Sequence, residues 1–484
     1  MKSVPELDRT AEVPSSELDT GQSYRSAPPW ATLIGSNTKE IISHAWAMAH
    51  HTSMIMPDSS DDETPFIPSA HGVTTNWERT ICMRTPSSLI DRFSVTTDTP
   101  QPLVGIRVID FSRVLAGPFV GQTLGDLGAD VVKIERPGLG DDTRIWGPPW
   151  RDIDDGEGST EQEATYYSSL NRNKRSIVLD LKDADDVAFA QRLARTGDIV
   201  LDNYKPGFAA SLGLDHASLA ADRPDIITAS ITAYGAETDA ADLPGYDLVA
   251  QAMGGPMHLT GEADSRALRV GVPIVDMMTG MNATIGVLAA LHERNVTGVG
   301  RHIEVSLFDT ALASTLNHQT AALMGGSDPG RNGNRHASIA PYESYRVADG
   351  EMIIAAANQK LFAALCRAIG RADLLEDPRF TDNTIRRANV IDLNAELETT
   401  LSTRTRDEWV ACLRAADVPC GPINSIHEAI AWGNEMNTDP LVTGDDGYRS
   451  VRSPIRIDGV ARSTALRPPR MGEHSAEIRA EVAD

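Results

Sequence analysis

From Leu103 onward, short apolar runs alternate with amphipathic stretches, and this alternation constrains the fold more than any other feature. "GIRVIDFS" (105–112) reads as a strand, "AGPFVGQTLGDLGA" (116–129) as a helix ending at Gly128, and "DVVKIERPG" (130–138) as a second strand. The theme returns in "RSIVLDLK" (175–182), a helix through "DADDVAFAQRLARTG" (183–197), and the strand "DIVLDNYKPG" (198–207). A further helix-like stretch leads into "DIITASITAYG" (225–235). Strands separated by helices of this length cross over and pair in parallel, with helices covering both faces of the sheet. The expected class is α/β. Ligands of such sheets sit beyond the carboxyl ends of the strands, which singles out residues 112–118, 135–138, 203–207 and 234–235. No GxGxxG follows the first strand and no GxxxxGK[ST] occurs, so neither a dinucleotide fingerprint nor a P-loop is indicated.

After residue 276 come the helix "MMTGMNATIGVLAALHER" (277–294), the strand "RHIEVSLF" (301–308) and a helix through "DTALASTLNHQTAALM" (309–324). "GGSDPGRNGNRH" (325–336), dense in Gly, Asn and Arg, reads as a linker or a ligand loop. "PYESYRVADGEMIIAAA" (341–357) suggests two strands around a turn at Asp349-Gly350, followed by amphipathic helices in 358–370 and 391–416. The expected organisation is a large domain beginning at 101–334, a smaller α+β domain over 335–425, and a segment, 426–484, that returns to the large domain. Residues 1–100 differ: their Ser-, Pro- and Asp-rich stretches lack sustained periodicity and read as a largely disordered extension. The adjacent His50 and His51 would point to different faces of a helix, which argues against a metal site there.

A formal net charge of −24 over 484 residues speaks against non-specific binding to nucleic acid or anionic membranes. It leaves room for an anionic small ligand wherever Arg and Lys cluster. The four cysteines, Cys82, Cys366, Cys412 and Cys420, form no CxxC pair and suit reduced thiols. The N-terminus, "MKSVPELDRTAEVPSSELD", has no apolar core, and the apolar runs are interrupted short of a membrane span. A soluble cytoplasmic protein is expected.

"VGVPIVDMMTGMNATIGVLAAL" (270–291) holds one charge in an otherwise apolar run, that of Asp276. Burying it unpaired would cost several kcal/mol, so something must hold it. Asp276 stands where an extended stretch meets a helical pattern, the place of an N-cap. The sharper reading is a catalytic carboxylate held by the same backbone donors, and the two readings are compatible. Three other groupings carry chemistry. Arg136, Arg144, Lys182 and Lys205 join the basic "NRNKRS" (171–176), which suits a phosphate-bearing ligand. Asp247, in "GYDLVAQAMGG", is a second N-cap candidate 29 residues before Asp276. Arg335 and His336, in "GNRHASIAPYESY", are candidates for binding a carboxylate.

Several of these segments together resemble one family. "GIRVIDFSRVLAGPFVGQTLGDLGADVVKIERPGLGDDTRIWGPP", "NRNKRSIVLDLK", "DNYKPG", "PGYDLVAQAMGG" and "DVPCGPIN" are similar to class III CoA-transferases, relatives of α-methylacyl-CoA racemase, over about residues 103–475. "RHASIAPYESYRVADG" and "DDTRIWGPP" look most like the succinyl-CoA:glutarate type. The resemblance implies a Rossmann-like large domain, a smaller α+β domain, and an interlocked homodimer in which each chain threads through a hole in the other. It implies acyl-CoA and carboxylic acid substrates, with no permanently bound cofactor and no metal. It places the nucleophile on Asp276. CoA contacts would fall on Val114, Leu115, Ala116, Arg136, Leu179, Lys182, Asn203, Tyr204 and Lys205, with Tyr246 and Asp247. The acceptor acid would meet Arg335, His336 and Ser338. One departure is Ser211, at a position that often carries Arg in the family, which puts a phosphate contact in doubt.

Two rival readings are considered. Racemisation of a 2-methylacyl-CoA needs two proton carriers flanking the α-carbon. Racemases of this family have His where this chain has Tyr246, and an acidic residue where it has Arg346, so both carriers are missing. A non-catalytic CoA-binding scaffold is opposed by the intact Asp276 segment. The expected reaction is transfer of CoA from an acyl-CoA, succinyl-CoA for preference, to a dicarboxylate through an aspartyl-CoA thioester.

Overall fold

The computed structural model describes residues 101–154, 160–326, 328–444, 446–461 and 465–482. The expectations for residues 1–100, with His50, His51 and Cys82, lie outside the described residues. Strands β1 (Arg107–Asp110) and β2 (Asp130–Glu135) are followed by an antiparallel hairpin of β3 (Trp150–Asp154) and β4 (Thr160–Ala164). Next come β5 (Lys174–Val178), β6 (Ile199–Asp202), β7 (Ile227–Thr232) and β8 (His302–Ser306). Apart from the hairpin these form one sheet in the order β5-β2-β1-β6-β7-β8, and every neighbouring pair is parallel. The strands are apolar on both sides because both sides are covered. Val108, Val131, Leu201 and Ile227 meet helices Ala116–Asp126 and Ile274–Thr297. Ile109, Val132, Ile177 and Val200 meet the opposite layer, which includes Phe189 of helix Ala184–Thr196 and Ile478 of helix Ser475–Val482.

Helix Ile274–Thr297 starts earlier and runs further than the sequence pattern indicates, 24 residues in all. By length and composition alone it could cross a bilayer. It instead lays Val275, Thr279, Ala283, Val287 and Leu291 into the protein, a stripe at helical spacing. The single helix expected over 309–324 is two, Leu307–Ser314 and Leu316–Gly325, parted at Leu316, whose φ of 38° breaks the helical run.

Strands β9 (Tyr342–Val347), β10 (Gly350–Ala355) and β11 (Cys420–Pro422) form a separate antiparallel sheet. Its core gathers Tyr345, Met352, Phe362, Leu397 and Trp409. The buried Trp409 indole satisfies its N–H on the carbonyl of Leu401 at 2.7 Å. After a short pair, β12 (Leu441–Thr443) and β13 (Arg449–Val451), the chain lies against β5. There His474 N donates to Ser176 O at 2.9 Å, and Arg175 pairs with Glu481 at 2.6 Å.

Candidate active site

Asp276 sits in the first turn of helix Ile274–Thr297, yet it does not cap that helix. The residue before the helix is Pro273, and no side chain at that position supplies a cap. The cap comes from Asp247, buried at 7% exposure. Its Oδ1 accepts the N–H of Val275 at 2.8 Å and that of Asp276 at 3.2 Å, and its Oδ2 accepts from Gln251 Nε2 at 2.6 Å. Gln251 Oε1 in turn accepts Val270 N at 2.8 Å, so the segment leading into the helix is tied down at both ends. The sequence expectation is corrected on two points. Asp276 is held by a cap rather than being one. Asp247 caps this helix instead of its own, with both carboxylate oxygens engaged there.

The consequence for Asp276 is electrostatic. Burial, and after it the charge of Asp247, push its carboxyl up to about 7. A carboxyl raised in this way is more basic than an ordinary aspartate, a property suited to a carboxylate nucleophile. Tyr166 is a neighbour that sequence reasoning missed. Burial, followed by the charges of Asp276, Asp247 and Asp141, raises its hydroxyl to about 12, so it remains an O–H donor. Its ring meets Trp146 edge-on at 5.4 Å. Nothing in "ATYYSSLN" marks one tyrosine over the next, and only proximity to "NRNKRS" could have drawn attention to it.

The turn after β1 faces the same region. Asp276 and Gly280 are one helical turn apart on a shared face, and a Cβ on Gly280 would lie 2.7 Å from the carbonyl oxygen of Ala116. The start of helix Ala116–Asp126 therefore packs directly beside the Asp276 turn. No side chain caps that helix, and the N–H groups of Ala116 and Gly117 precede its first intrahelical bond, from Phe119 N to Leu115 O at 2.8 Å. Two residues before Ala116, Val114 has φ of 72°, a left-handed conformation that a β-branched residue resists.

Apart from Tyr246 and Asp247, which begin helix Asp247–Met253, the expected CoA positions fall beyond the carboxyl ends of β1, β2, β5 and β6, but not all offer a side chain. Asn203 Oδ1 accepts Arg113 N at 3.0 Å and its Nδ2 donates to Arg113 O at 2.7 Å, so its amide braces the turn. Arg136 is paired with Asp142 and still half-exposed. The Leu179 side chain is fully buried in the sheet's core, which leaves only its backbone to present to a ligand. Lys182 and Lys205 are exposed. Tyr204 packs edge-on against Phe208 at 4.8 Å. Ser211 turns its hydroxyl back to Phe208 O at 2.7 Å. Tyr246 is 60% exposed.

In the loop considered for the acceptor, Arg335 Nε donates to Glu343 Oε1 at 3.2 Å, and His336 Nδ1 accepts Ser338 N at 3.0 Å. Gly333 N donates to Gly261 O at 2.8 Å, tying this loop to the segment that leads to Asp276. Among the described residues no hydrogen bond joins Arg335, His336 or Ser338 to Asp276 itself.

A family model described as CoA-transferase family III matches residues 103–475. The chain belongs to this family. An Agrobacterium fabrum protein named succinate–glutarate CoA-transferase is 40% identical over 396 residues, covering 80% of this chain and 98% of that protein. A Mus musculus protein named succinyl-CoA:glutarate CoA-transferase is 35% identical over 389 residues, covering 80% of this chain and 87% of the other. Among solved structures, a CAIB/BAIF family protein from Brucella suis has a TM-score of 0.72 and 40% identity, over 79% of this chain and 100% of that one. The six-stranded parallel sheet is thus that of a class III CoA-transferase, and the thioester of CoA is its substrate.

Proposed function

We propose that this CoA-transferase takes CoA from succinyl-CoA and passes it to a C4 to C6 dicarboxylate through a thioester on Asp276. What supports the reading most is the placement of Asp276: a half-buried carboxylate with its backbone N–H held by Asp247 and its carboxyl raised to about 7. Its oxygen attacks the thioester carbonyl, the C–S bond breaks, and a mixed anhydride and CoA thiolate result. The thiolate then attacks the aspartyl carbonyl, releasing the donor acid as its carboxylate and leaving aspartyl-CoA. The acceptor carboxylate repeats the sequence in reverse and restores Asp276. Each step moves an acyl group between oxygen and sulfur, so no redox partner is required, and dividing the transfer in this way is covalent catalysis. Uncapped backbone N–H groups at the start of helix Ala116–Asp126 and the Tyr166 hydroxyl are suited to the oxyanions that form. Arg335, His336 and Ser338 would recognise the acceptor's second carboxylate.

The working unit in this proposal is an interlocked homodimer in the cytoplasm. Met281, Ile285, Leu316, Leu323 and Met324 are all more than half exposed, the last two at 84%. Apolar helix faces of this kind are rarely left to water, and a second copy of the chain would cover them. The experiment is intact-protein and peptide mass measurement after mixing with succinyl-CoA. A CoA adduct on the Asp276 peptide, absent from Asp276→Ala although that variant still binds CoA, is the expected result. Substantial transfer by Asp276→Ala overturns the assignment.

A further inference from the structure

We infer that Asp141 is a positioning residue for the transfer reaction, because it holds Val114 in a conformation valine resists and so fixes the turn beside Asp276. Three successive residues of that turn are each tethered to a different element. Ser112 N donates to Asp110 Oδ1 at 3.0 Å, and Ser112 O accepts Lys133 Nζ at 3.0 Å. Arg113 is held through both its N–H and its carbonyl by Asn203, beyond β6. Val114 N donates to Asp141 Oδ1 at 3.3 Å, and the same oxygen accepts the N–H and hydroxyl of Thr143 at 2.9 and 2.7 Å. The Asp141 carboxylate is itself fixed by Lys133 at 2.8 Å, both side chains being essentially inaccessible. A left-handed β-branched residue persists only where its surroundings over-determine it, and these bonds do so.

Asp141 is too deeply buried to meet substrate, at 2% exposure. It acts through Val114, which leads straight into the helix start that abuts Gly280, one turn beyond Asp276. The bland alternative is an ion pair that only stabilises the core. The two differ in what relieving the backbone does. Glycine adopts a positive φ without steric cost, so Val114→Gly lessens the need for the clamp.

The inference rests on the proposed role of Asp276, and its test reads CoA affinity directly, without turnover, so the two fail separately. Asp141→Asn removes the charge that strengthens the bond to Val114 N. Losing one charge-assisted bond should weaken CoA binding by about tenfold or more, with the KM for glutarate changed by less than about twofold. Adding Val114→Gly to Asp141→Asn should recover a large part of that loss. Lys133→Met with Asp141→Asn repeats the test with no stranded ammonium, in case Asp141→Asn alone folds poorly. A folded Asp141→Asn protein with unaltered CoA affinity overturns the inference. So does a loss that Val114→Gly leaves untouched, or a failure to fold even with both relieving substitutions, since either would place the role of Asp141 in the core.

Discussion

Asp247 accepts the backbone N–H of Asp276 at 3.2 Å, and its charge adds to burial in raising the Asp276 carboxyl to about 7. One buried side chain therefore holds the backbone of the proposed nucleophile and also raises its basicity. Because Asp247 Oδ1 is occupied by two N–H groups and Oδ2 by Gln251, it is fixed where it repels the Asp276 carboxylate without bonding to it.

That relationship predicts how activity responds to pH. In the proposed mechanism the carboxylate is the attacking form, so kcat/KM should rise with pH through about 7. Asp247→Asn keeps an acceptor for the helix N–H groups but removes the charge. Its acidic limb should move to lower pH, though not to an ordinary carboxylate value, because burial remains and is the larger cause. Asp247→Ala should lose the cap as well, at a cost of about 1 kcal/mol or more. An Asp247→Asn profile superimposable on the parent's would show that the neighbouring charge does not tune Asp276.

Stability should carry the same signature with a definite sign. The Asp276 pKa is raised on folding, from 3.8 to about 7, so the native state favours its protonated form. The stabilisation is fully present below about 4 and is lost as pH rises through about 7, each pKa unit being worth about 1.4 kcal/mol. Asp276→Asn cannot ionise. Its melting temperature relative to the parent's should climb between about pH 4 and 7 and then level off. A difference that stays constant across that range would mean the carboxyl is not perturbed.

Gly280 offers a test of the helix crossing. A Cβ there would lie 2.7 Å from Ala116 O and 2.9 Å from Phe119 Cδ1, and the backbone oxygen cannot swing aside. Gly280→Ala should push helix Ile274–Thr297 away from the turn that carries Val114. The expected loss is about 1 to 3 kcal/mol of stability, with kcat falling further than denaturation midpoints alone explain. A variant with full kcat would show that the spacing between these helices does not set the geometry at Asp276.

How much of this could be read in the sequence depends on whether the cause is local. The strands of the parallel sheet and the importance of Asp276 are legible because periodicity and a lone charge in an apolar run are local signals. The cap on its helix is not, since the acceptor, Asp247, lies 29 positions away and reaches it only in the folded chain. Val114 is hidden for the opposite reason. Its φ of 72° contradicts the preference of valine, so propensity points away from the turn that tertiary bonds enforce. The hairpin of β3 and β4 escapes notice because "WRDID" and "TEQEA" are too polar to read as strands. Resemblance marks Leu179 as a CoA position, but it does not reveal that the side chain faces the core and leaves only the backbone available.

The acceptor is the last prediction, and it turns on Arg335. A dicarboxylate offers one carboxylate to the aspartyl thioester and needs a cation for the other, for which a bidentate guanidinium is well suited. Glu343 already engages Nε of Arg335 at 3.2 Å and is itself held by Asn394 at 2.7 Å, an arrangement that orients the guanidinium. Since Nε is only one of its five N–H donors, others can serve a ligand. Arg335→Ala should raise the KM for glutarate by about tenfold or more while changing that for succinyl-CoA little, as expected for one lost charge-assisted interaction. Glu343→Gln should raise it less, because it loosens the arginine without removing it. The decisive measurement is a panel of acids assayed with succinyl-CoA and acetyl-CoA as donors, products identified by mass. Monocarboxylates that outperform every dicarboxylate would remove the need for a cation and, with it, the role given to Arg335. A protein inert toward all acids that exchanges the α-proton of a chiral 2-methylacyl-CoA would instead be a racemase, and Tyr246 would then have to carry a proton in the place of the racemases' histidine.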